Sequence, residues 1–198
     1  MAGALTAPTR RLVLLGALAL GGCAVLTPED LPDPAPRPPE PAAGLAIVIF
    51  EMRGLALPFH TGLIIRTPEE VAIYDPSGIW DGQGTCQREG EMIRRATPAQ
   101  VDSYLRRDGL NYAPGGWIVH RFDRAVPADL ARLALRRAAA APASAPLHCT
   151  HDVTALLSGL PGFEFIEPEH VTATLLRLLV LRDDFTYTRR DRAPVQAG

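Results

Sequence analysis

Short apolar runs of strand length follow one another from residue 44 onward. Residues 44–52, GLAIVIFEM, are β-branched and apolar, which predicts a buried strand. Residues 60–67 and 71–75 are two further runs, and the Pro-Glu-Glu turn at 68–70 between them predicts a hairpin. Both runs are apolar at consecutive positions, so we expect the hairpin to be covered on both faces.

Helical spacing and capping residues predict the elements that come next. Thr97 and Pro98 are typical of a helix N-cap and first turn, and Gly109 is typical of a helix end. Further helices are predicted at residues 127–141, within 145–162, and from Pro168 to residue 181. Residues 117–122 predict a strand and residues 185–188 an edge strand, before a polar tail at 189–198. Together these elements indicate an α+β fold, with an antiparallel sheet packed against helices.

The first residues of the chain have the composition of a targeting segment. Arg10 and Arg11 precede the apolar stretch 12–20, which is too short to span a bilayer and fits a signal peptide. The LGGC that ends at Cys23 resembles the lipobox of bacterial lipoproteins, whose cysteine is lipidated and becomes the first mature residue. This resemblance implies a membrane-anchored protein facing the periplasm, and Ala24 favours the outer membrane. The alternative is an ordinary signal peptide with an incidental cysteine.

Between this segment and the first strand lies a proline-rich spacer. Residues 27–43 contain seven prolines and therefore prefer extended polyproline conformations. At about 3.1 Å per residue the spacer can hold a domain up to ~50 Å from the membrane. We expect a signal peptide at 1–22, a lipidated cysteine and tether at 23–43, and one folded domain at 44–198. The net charge of −2 gives no reason to expect nucleic acid as a partner.

Cys149 is the leading candidate for a nucleophile. At 100° per residue it shares a helical face with Val153, Leu156, Leu157 and Leu160, so it points with the apolar stripe toward the sheet. A helix N-terminus favours the thiolate. His148 and His151 are poorly placed to take its proton, and the HCTH string is poor for zinc because adjacent helical residues do not close around one tetrahedral ion.

The expected base is His60, on the second strand. Strand alternation places His60 and Gly62 on one side, and the glycine leaves a gap where a backbone or a helix start can approach. Asp75, or Tyr74 if the register slips by one residue, is expected opposite His60 as the group that orients the imidazole. His120 is the rival base, although an alternating strand that continues with an arginine indicates a half-exposed sheet face.

The histidine hairpin HTGLII…VAIYDPSG and the cysteine helix LHCTHDVTALL resemble those of NlpC-type, papain-like cysteine hydrolases. The family usually places cysteine before histidine, so this order resembles its circularly permuted members, which include a lecithin–retinol acyltransferase-like group. Asp75 stands where many members carry His, Asn or Gln. The resemblance implies a permuted papain-like fold in which Cys149, His60 and Asp75 form the catalytic site, without a metal or cofactor.

The resemblance also implies a reaction and a substrate class. We expect hydrolysis of an amide bond, with peptidoglycan stem peptides as the substrate that suits a tethered envelope protein. A lipid acyltransferase or thiol esterase of the same fold is one alternative. Another is a non-catalytic envelope lipoprotein in which Cys86 and Cys149 form a disulfide, because both would lie in an oxidising compartment.

Overall fold

The part of the chain that the structure describes forms one antiparallel sheet with helices on both of its faces, in a computed structural model. Described are residues 42–76, 80, 91–107, 113 and 115–192, all within the unit that spans residues 32–198. The strands are β1 (Gly44–Met52), β2 (Leu57–Arg66), β3 (Val71–Tyr74), β4 (Met92–Ile93), β5 (Trp117–Ala125) and β6 (Thr186–Arg192). The helices are α1 (Pro98–Arg106), α2 (Ala128–Ala140), α3 (Cys149–Leu157) and α4 (Thr172–Val180), and a 3-10 turn covers Arg53–Leu55. The expected α+β class is confirmed.

The strand order is β4-β3-β2-β1-β5-β6, and every neighbouring pair is antiparallel. The predicted first strand, β1, is therefore central, and the predicted hairpin of β2 and β3 lies on one side of it. The last strand, β6, lies at the far edge, as its sequence predicts. Its strand pairing runs to Arg192, so the first four residues of the expected polar tail belong to the sheet.

Alternate residues of the central strands face two separate cores. Leu45, Ile47 and Ile49 pack with the apolar residues of α2, α3 and α4 on one face. Ala46, Val48, Phe50 and Met52 pack with α1 on the other face. All nine residues of β1 are buried. The consecutive apolar positions of the sequence thus have their expected cause, a sheet covered on both sides.

Helix α1 begins as its sequence predicts. The Thr97 hydroxyl accepts a hydrogen bond from the Gln100 backbone N–H at 3.2 Å, and the Gln100 side chain accepts one from the Thr97 N–H at 2.9 Å. This reciprocal capping box satisfies two N–H groups that a helix start otherwise leaves without partners. Arg107, in the left-handed conformation at φ 54°, ends the helix. The predicted stop, Gly109, lies outside the described residues.

Helix α4 begins later than its sequence predicts, at Thr172 rather than near Pro168. The Glu169 backbone N–H donates to the Thr154 hydroxyl of α3 at 2.9 Å. The Glu169 carboxylate accepts a hydrogen bond from the Val171 N–H at 2.8 Å. These two bonds hold Glu169 against α3 and pair the Val171 N–H with a side chain, so residues 167–171 are irregular and the helix starts about one turn later.

The targeting segment at 1–22, Cys23 and most of the proline-rich tether lie outside the described residues. None of the described helices has the length and apolar character needed to cross a bilayer.

Candidate functional site

Cys149 is the first residue of α3, where its side chain is a free thiol with 5% of its surface exposed. The neighbouring Thr150 fixes this position. Its hydroxyl lies 2.9 Å from the Thr61 hydroxyl of β2 and 2.7 Å from the Thr172 hydroxyl of α4. This buried chain of three hydroxyls joins two helix starts to the sheet, and it sets Cys149 beside the residue that precedes Thr61.

His60 is the residue of β2 that precedes Thr61, and it is 3% exposed. Its Nε2 lies 2.5 Å from Asp75 Oδ1, and its ring lies close enough to the Cys149 thiol for the thiol to raise the pKa of the imidazole. Because Nε2 faces the carboxylate, Nδ1 is the nitrogen that remains for the thiol. The β1–β2 register shifts next to His60, where Phe59 is an extra residue between the His60 and Pro58 pairings. Such bulges re-aim a neighbouring side chain.

Asp75 follows the last residue of β3 and is fully buried. Leu63 pairs with Tyr74, so the register places Asp75 level with Gly62 rather than directly opposite His60. The carboxylate reaches His60 diagonally across β2. The sequence correctly identified Asp75 as the third member of the cluster, whereas the expectation that it lies directly opposite His60 was wrong by two residues.

Gly62 leaves a gap beside His60, as expected, but a side chain fills it rather than a backbone or a helix start. A Cβ atom at Gly62 would lie 1.9 Å from the Tyr104 hydroxyl. That hydroxyl, from α1, donates a hydrogen bond to Asp75 Oδ1 at 2.9 Å. The glycine is therefore required because Tyr104 crosses this position to reach the carboxylate.

Arg107 supplies a buried positive charge to the same cluster. Its guanidinium lies 3.7 Å from Asp75 Oδ1, and its centre lies 4.1 Å from the centroid of the Phe50 ring. The distance to the carboxylate is too long for a hydrogen bond, so the attraction is electrostatic. Both groups are fully buried, which leaves little water to screen the interaction.

The pKa shifts of the thiol and the imidazole point to a charged pair. Burial raises the pKa of Cys149, but the hydrogen bond and the charge of His60 outweigh it and hold the thiol pKa below its ordinary value. Burial lowers the pKa of His60, but the Asp75 carboxylate and the bonds to Asp75 and Cys149 raise it to about 9. Burial raises the pKa of Asp75, and His60, Arg107 and Tyr104 outweigh it and hold the carboxyl pKa low. At neutral pH these pKa shifts favour a Cys149 thiolate, a His60 imidazolium and an Asp75 carboxylate beside one another.

The rival base, His120, lies elsewhere. Its Nε2 is 2.9 Å from Glu51 Oε2 and its Nδ1 is 3.0 Å from the Tyr187 hydroxyl. It is fully buried, so the expectation of a half-exposed strand face at this position was wrong. The reason is that β6 covers the edge of β5 and contributes Tyr187, which stacks on the imidazole with ring centroids 6.1 Å apart.

Tyr104 and Arg107 are the two members of the cluster that the sequence did not single out. A periodic apolar face on α1 predicts a buried Tyr104 in the same way as it predicts any core aromatic. A lone arginine at a helix end is an ordinary dipole partner. The remaining signal was Gly62, since a glycine inside an apolar strand indicates that something approaches closely.

A separate cleft of about 240 Å³ lies between α1 and the sheet edge. Arg66, Val71 and Leu105 are among its lining residues, and neither Cys149 nor His60 is. The chemistry of Cys149 is therefore not located in this cleft. Of the remaining cysteines, Cys23 and Cys86 lie outside the described residues.

Comparison of the chain with protein-family models, with curated proteins and with solved structures gave no match. The interpretation of the site accordingly depends on its own geometry and chemistry.

Proposed function

We propose that this protein is a thiol hydrolase that cleaves an amide bond through Cys149, His60 and Asp75. The observation that carries the proposal is the buried cluster in which the His60 imidazole lies 2.5 Å from the Asp75 carboxylate and close enough to the Cys149 thiol for each to shift the pKa of the other. A nucleophile, a base and an orienting group in hydrogen-bond contact are the arrangement that activates a weak nucleophile.

In the proposed reaction the Cys149 thiolate attacks the carbonyl carbon, and a C–S bond forms. The tetrahedral intermediate collapses as the His60 imidazolium gives its proton to the leaving amine, and the C–N bond breaks. Water then attacks the thioester while His60 takes its proton, which releases the acid and restores the thiolate–imidazolium pair. Asp75 keeps the imidazole in the orientation needed for both proton transfers.

The start of α3 supplies candidate donors for the oxyanion. His148, its N-cap residue, makes no side-chain capping hydrogen bond. The first N–H groups of a helix have no partner within it. The backbone N–H of Cys149 is the donor closest to the attacking sulfur along the chain, and we assign it the oxyanion role.

The order of elements supports a circularly permuted papain-like, NlpC-type arrangement. His60 and Asp75 lie on β2 and just after β3, and the cysteine helix α3 follows them in the chain. In the unpermuted order the cysteine helix comes first. The permutation belongs to the proposal, as does the location, a lipoprotein anchored through Cys23 on the periplasmic side of the outer membrane.

Peptidoglycan stem peptides are the proposed substrate, since a tethered hydrolase with a stiff spacer is suited to a target at some distance from its membrane. Cys149 is a free thiol beside His60, which supports the catalytic proposal, and Cys86 lies outside the described residues. The lipid acyltransferase or esterase alternative shares the same three residues, and substrate tests have to separate it.

The test is to incubate the reduced, purified chain with peptidoglycan and, separately, with phospholipid vesicles, with Cys149→Ala as the matched control. We expect release of new amino or carboxyl ends from peptidoglycan by the wild-type protein alone. Fatty-acid release from the vesicles instead would support the esterase alternative. Equal product from wild type and Cys149→Ala on both substrates would refute a thiol hydrolase.

A further inference from the structure

Three of the chain's five histidines meet on the surface at the start of α3. His148 and His151 lie at the helix start, and His170 comes from the irregular segment that precedes α4. Their ring centroids are 5.7 Å apart for His148 and His151, 5.1 Å for His148 and His170, and 4.4 Å for His151 and His170. No step of the proposed hydrolysis uses these rings.

The spacing of these rings fits imidazoles that share one metal ion. A zinc–nitrogen bond is about 2 Å and half a ring adds about 1 Å, so two imidazoles on a tetrahedral ion have centroids about 5 Å apart. The two separations that involve His148 lie close to that value, and those ring pairs are steeply inclined, at 64° and 81°. The His151 and His170 rings are stacked at 17°, so one of these part-exposed rings has to turn before both can bind one ion.

A carboxylate completes the donor set. The Asp152 Oδ1 atom lies 3.1 Å from Nδ1 of His151, and Ser144 donates a hydrogen bond to Oδ2. One potential ligand atom from each of His148, His151 and Asp152 lies within 4.8 Å of the others. Ligand atoms on a tetrahedral zinc are about 3.3 Å apart, so inward movements of about 1 Å are needed. His151 and Asp152 are part-exposed at 34% and 23%, which leaves room for such movements.

The sequence-based objection to zinc at HCTH was that adjacent residues of one helix do not close around one ion. His151 and Asp152 are adjacent, but the structure shows that their side chains converge, with Nδ1 of His151 3.1 Å from Oδ1 of Asp152. Cys149 is not in the set, because its thiol lies beside His60. His148 and His151 are three residues apart and so face the same side of the helix. The third imidazole, that of His170, comes from another segment, which the hydrogen bond between the Glu169 N–H and Thr154 holds beside α3.

We propose that His148, His151 and His170, with the Asp152 carboxylate as fourth donor, bind one divalent transition-metal ion of the zinc class. Imidazole and carboxylate donors in a tetrahedral set suit zinc and exclude calcium and magnesium, which prefer six or more oxygens. The ion would join the start of α3 to the segment before α4. This site is separate from the proposed hydrolase chemistry and does not depend on it.

The test is titration of the full chain, purified without a histidine tag and stripped with chelator, with zinc chloride and with cobalt(II) chloride. All measurements use a Cys149→Ser background, so that the active-site thiol cannot bind the metal. We expect one ion per chain, and visible cobalt absorption bands of the intensity typical of four-coordinate nitrogen and oxygen ligation.

His151→Ala and His170→Ala should each weaken zinc binding by more than about tenfold, since loss of even an outer partner of a ligand costs about 10–100-fold. Glu167→Gln, an exposed change in the same segment as His170, is the matched control and should bind as the background does. Circular dichroism checks the fold of each variant. The proposal is overturned if zinc does not bind to the Cys149→Ser background, or if His170→Ala binds it as tightly as Glu167→Gln. Neither outcome bears on hydrolase activity, which is measured separately.

Discussion

Replacement of Gly62 by alanine tests the packing that holds the candidate site together. The added Cβ would lie 1.9 Å from the Tyr104 hydroxyl, well inside any permitted contact. Tyr104 has no free space, because it is fully buried between Phe50 and Trp80, with ring centroids 5.2 and 5.1 Å away. The phenol must therefore shift and give up its hydrogen bond to Asp75.

The magnitude follows from two costs and one gain. Overpacking of a tight core costs about 1–3 kcal/mol. Loss of a buried hydrogen bond to a charged group costs about 1.5–3 kcal/mol. Alanine in a strand interior gains about 0.5–1 kcal/mol over glycine. We expect Gly62→Ala to lower the free energy of unfolding by about 2–5 kcal/mol, a large part of the total for a domain of this size.

A double-mutant cycle with Tyr104→Phe identifies the cause. Without the hydroxyl, the new Cβ meets ring carbon Cζ at 3.1 Å and the Tyr74 carbonyl oxygen at 3.2 Å, contacts that small shifts relieve. The double variant should therefore be about as stable as Tyr104→Phe alone, so the coupling should be about as large as the 2–5 kcal/mol that Gly62→Ala loses by itself. Urea unfolding followed by circular dichroism gives all four free energies. The reasoning fails if Gly62→Ala is as stable as the wild type, or if the two single losses simply add.

Three further predictions concern the proposed chemistry and processing. His60→Ala should lower turnover by about 10²–10⁴, to near the level of Cys149→Ala, and Asp75→Asn should lie between these variants and the wild type. A folded His120→Gln should stay within about tenfold of the wild type. Loss of turnover in His120→Gln with retention in His60→Ala would contradict the assignment. Because His60 lowers the pKa of the thiol, iodoacetamide should alkylate Cys149 well below pH 8, and His60→Ala should move the rate profile to higher pH; superimposable profiles would argue against the ion pair. Cys23→Ser should leave the precursor uncleaved by the lipoprotein pathway or release a soluble form, and mass spectrometry of the membrane fraction would show whether a lipid adduct was ever present.

Much of the fold was predictable because buried positions recur in the sequence with the period of a strand or of a helix. Residues 44–52 indicated a buried strand, the consecutive apolar positions of the hairpin at 60–67 and 71–75 indicated strands covered on both faces, and the Thr97-Pro98 pair indicated a helix start. These predictions are confirmed. Cys149, His60 and Asp75 were singled out from a helix start, a strand glycine and a strand end, and the structure brings all three together.

Other features could not be predicted from the neighbouring residues in the sequence. Residues 167–171 have helical spacing, yet two hydrogen bonds of Glu169, one of them to α3, hold the segment in an irregular conformation. His120 has the sequence pattern of a half-exposed strand, but pairing of β6 beside β5 buries it. In both cases a partner distant in sequence decides the outcome, because burial and hydrogen bonding depend on what the chain brings alongside.

The sequence by itself determined which elements form and which side chains have nucleophilic or basic chemistry. Only the tertiary structure decided which of the five histidines meets the thiol, because strand register and a bulge place His60 there and direct His120 to Glu51. It also decided that Tyr104 and Arg107 surround Asp75, and that His148, His151 and His170 lie together. Apart from the pair of His148 and His151 on one helix, these contacts join residues from different segments of the chain. Side-chain periodicity does not predict them, because it gives the face on which a residue lies and not its partner.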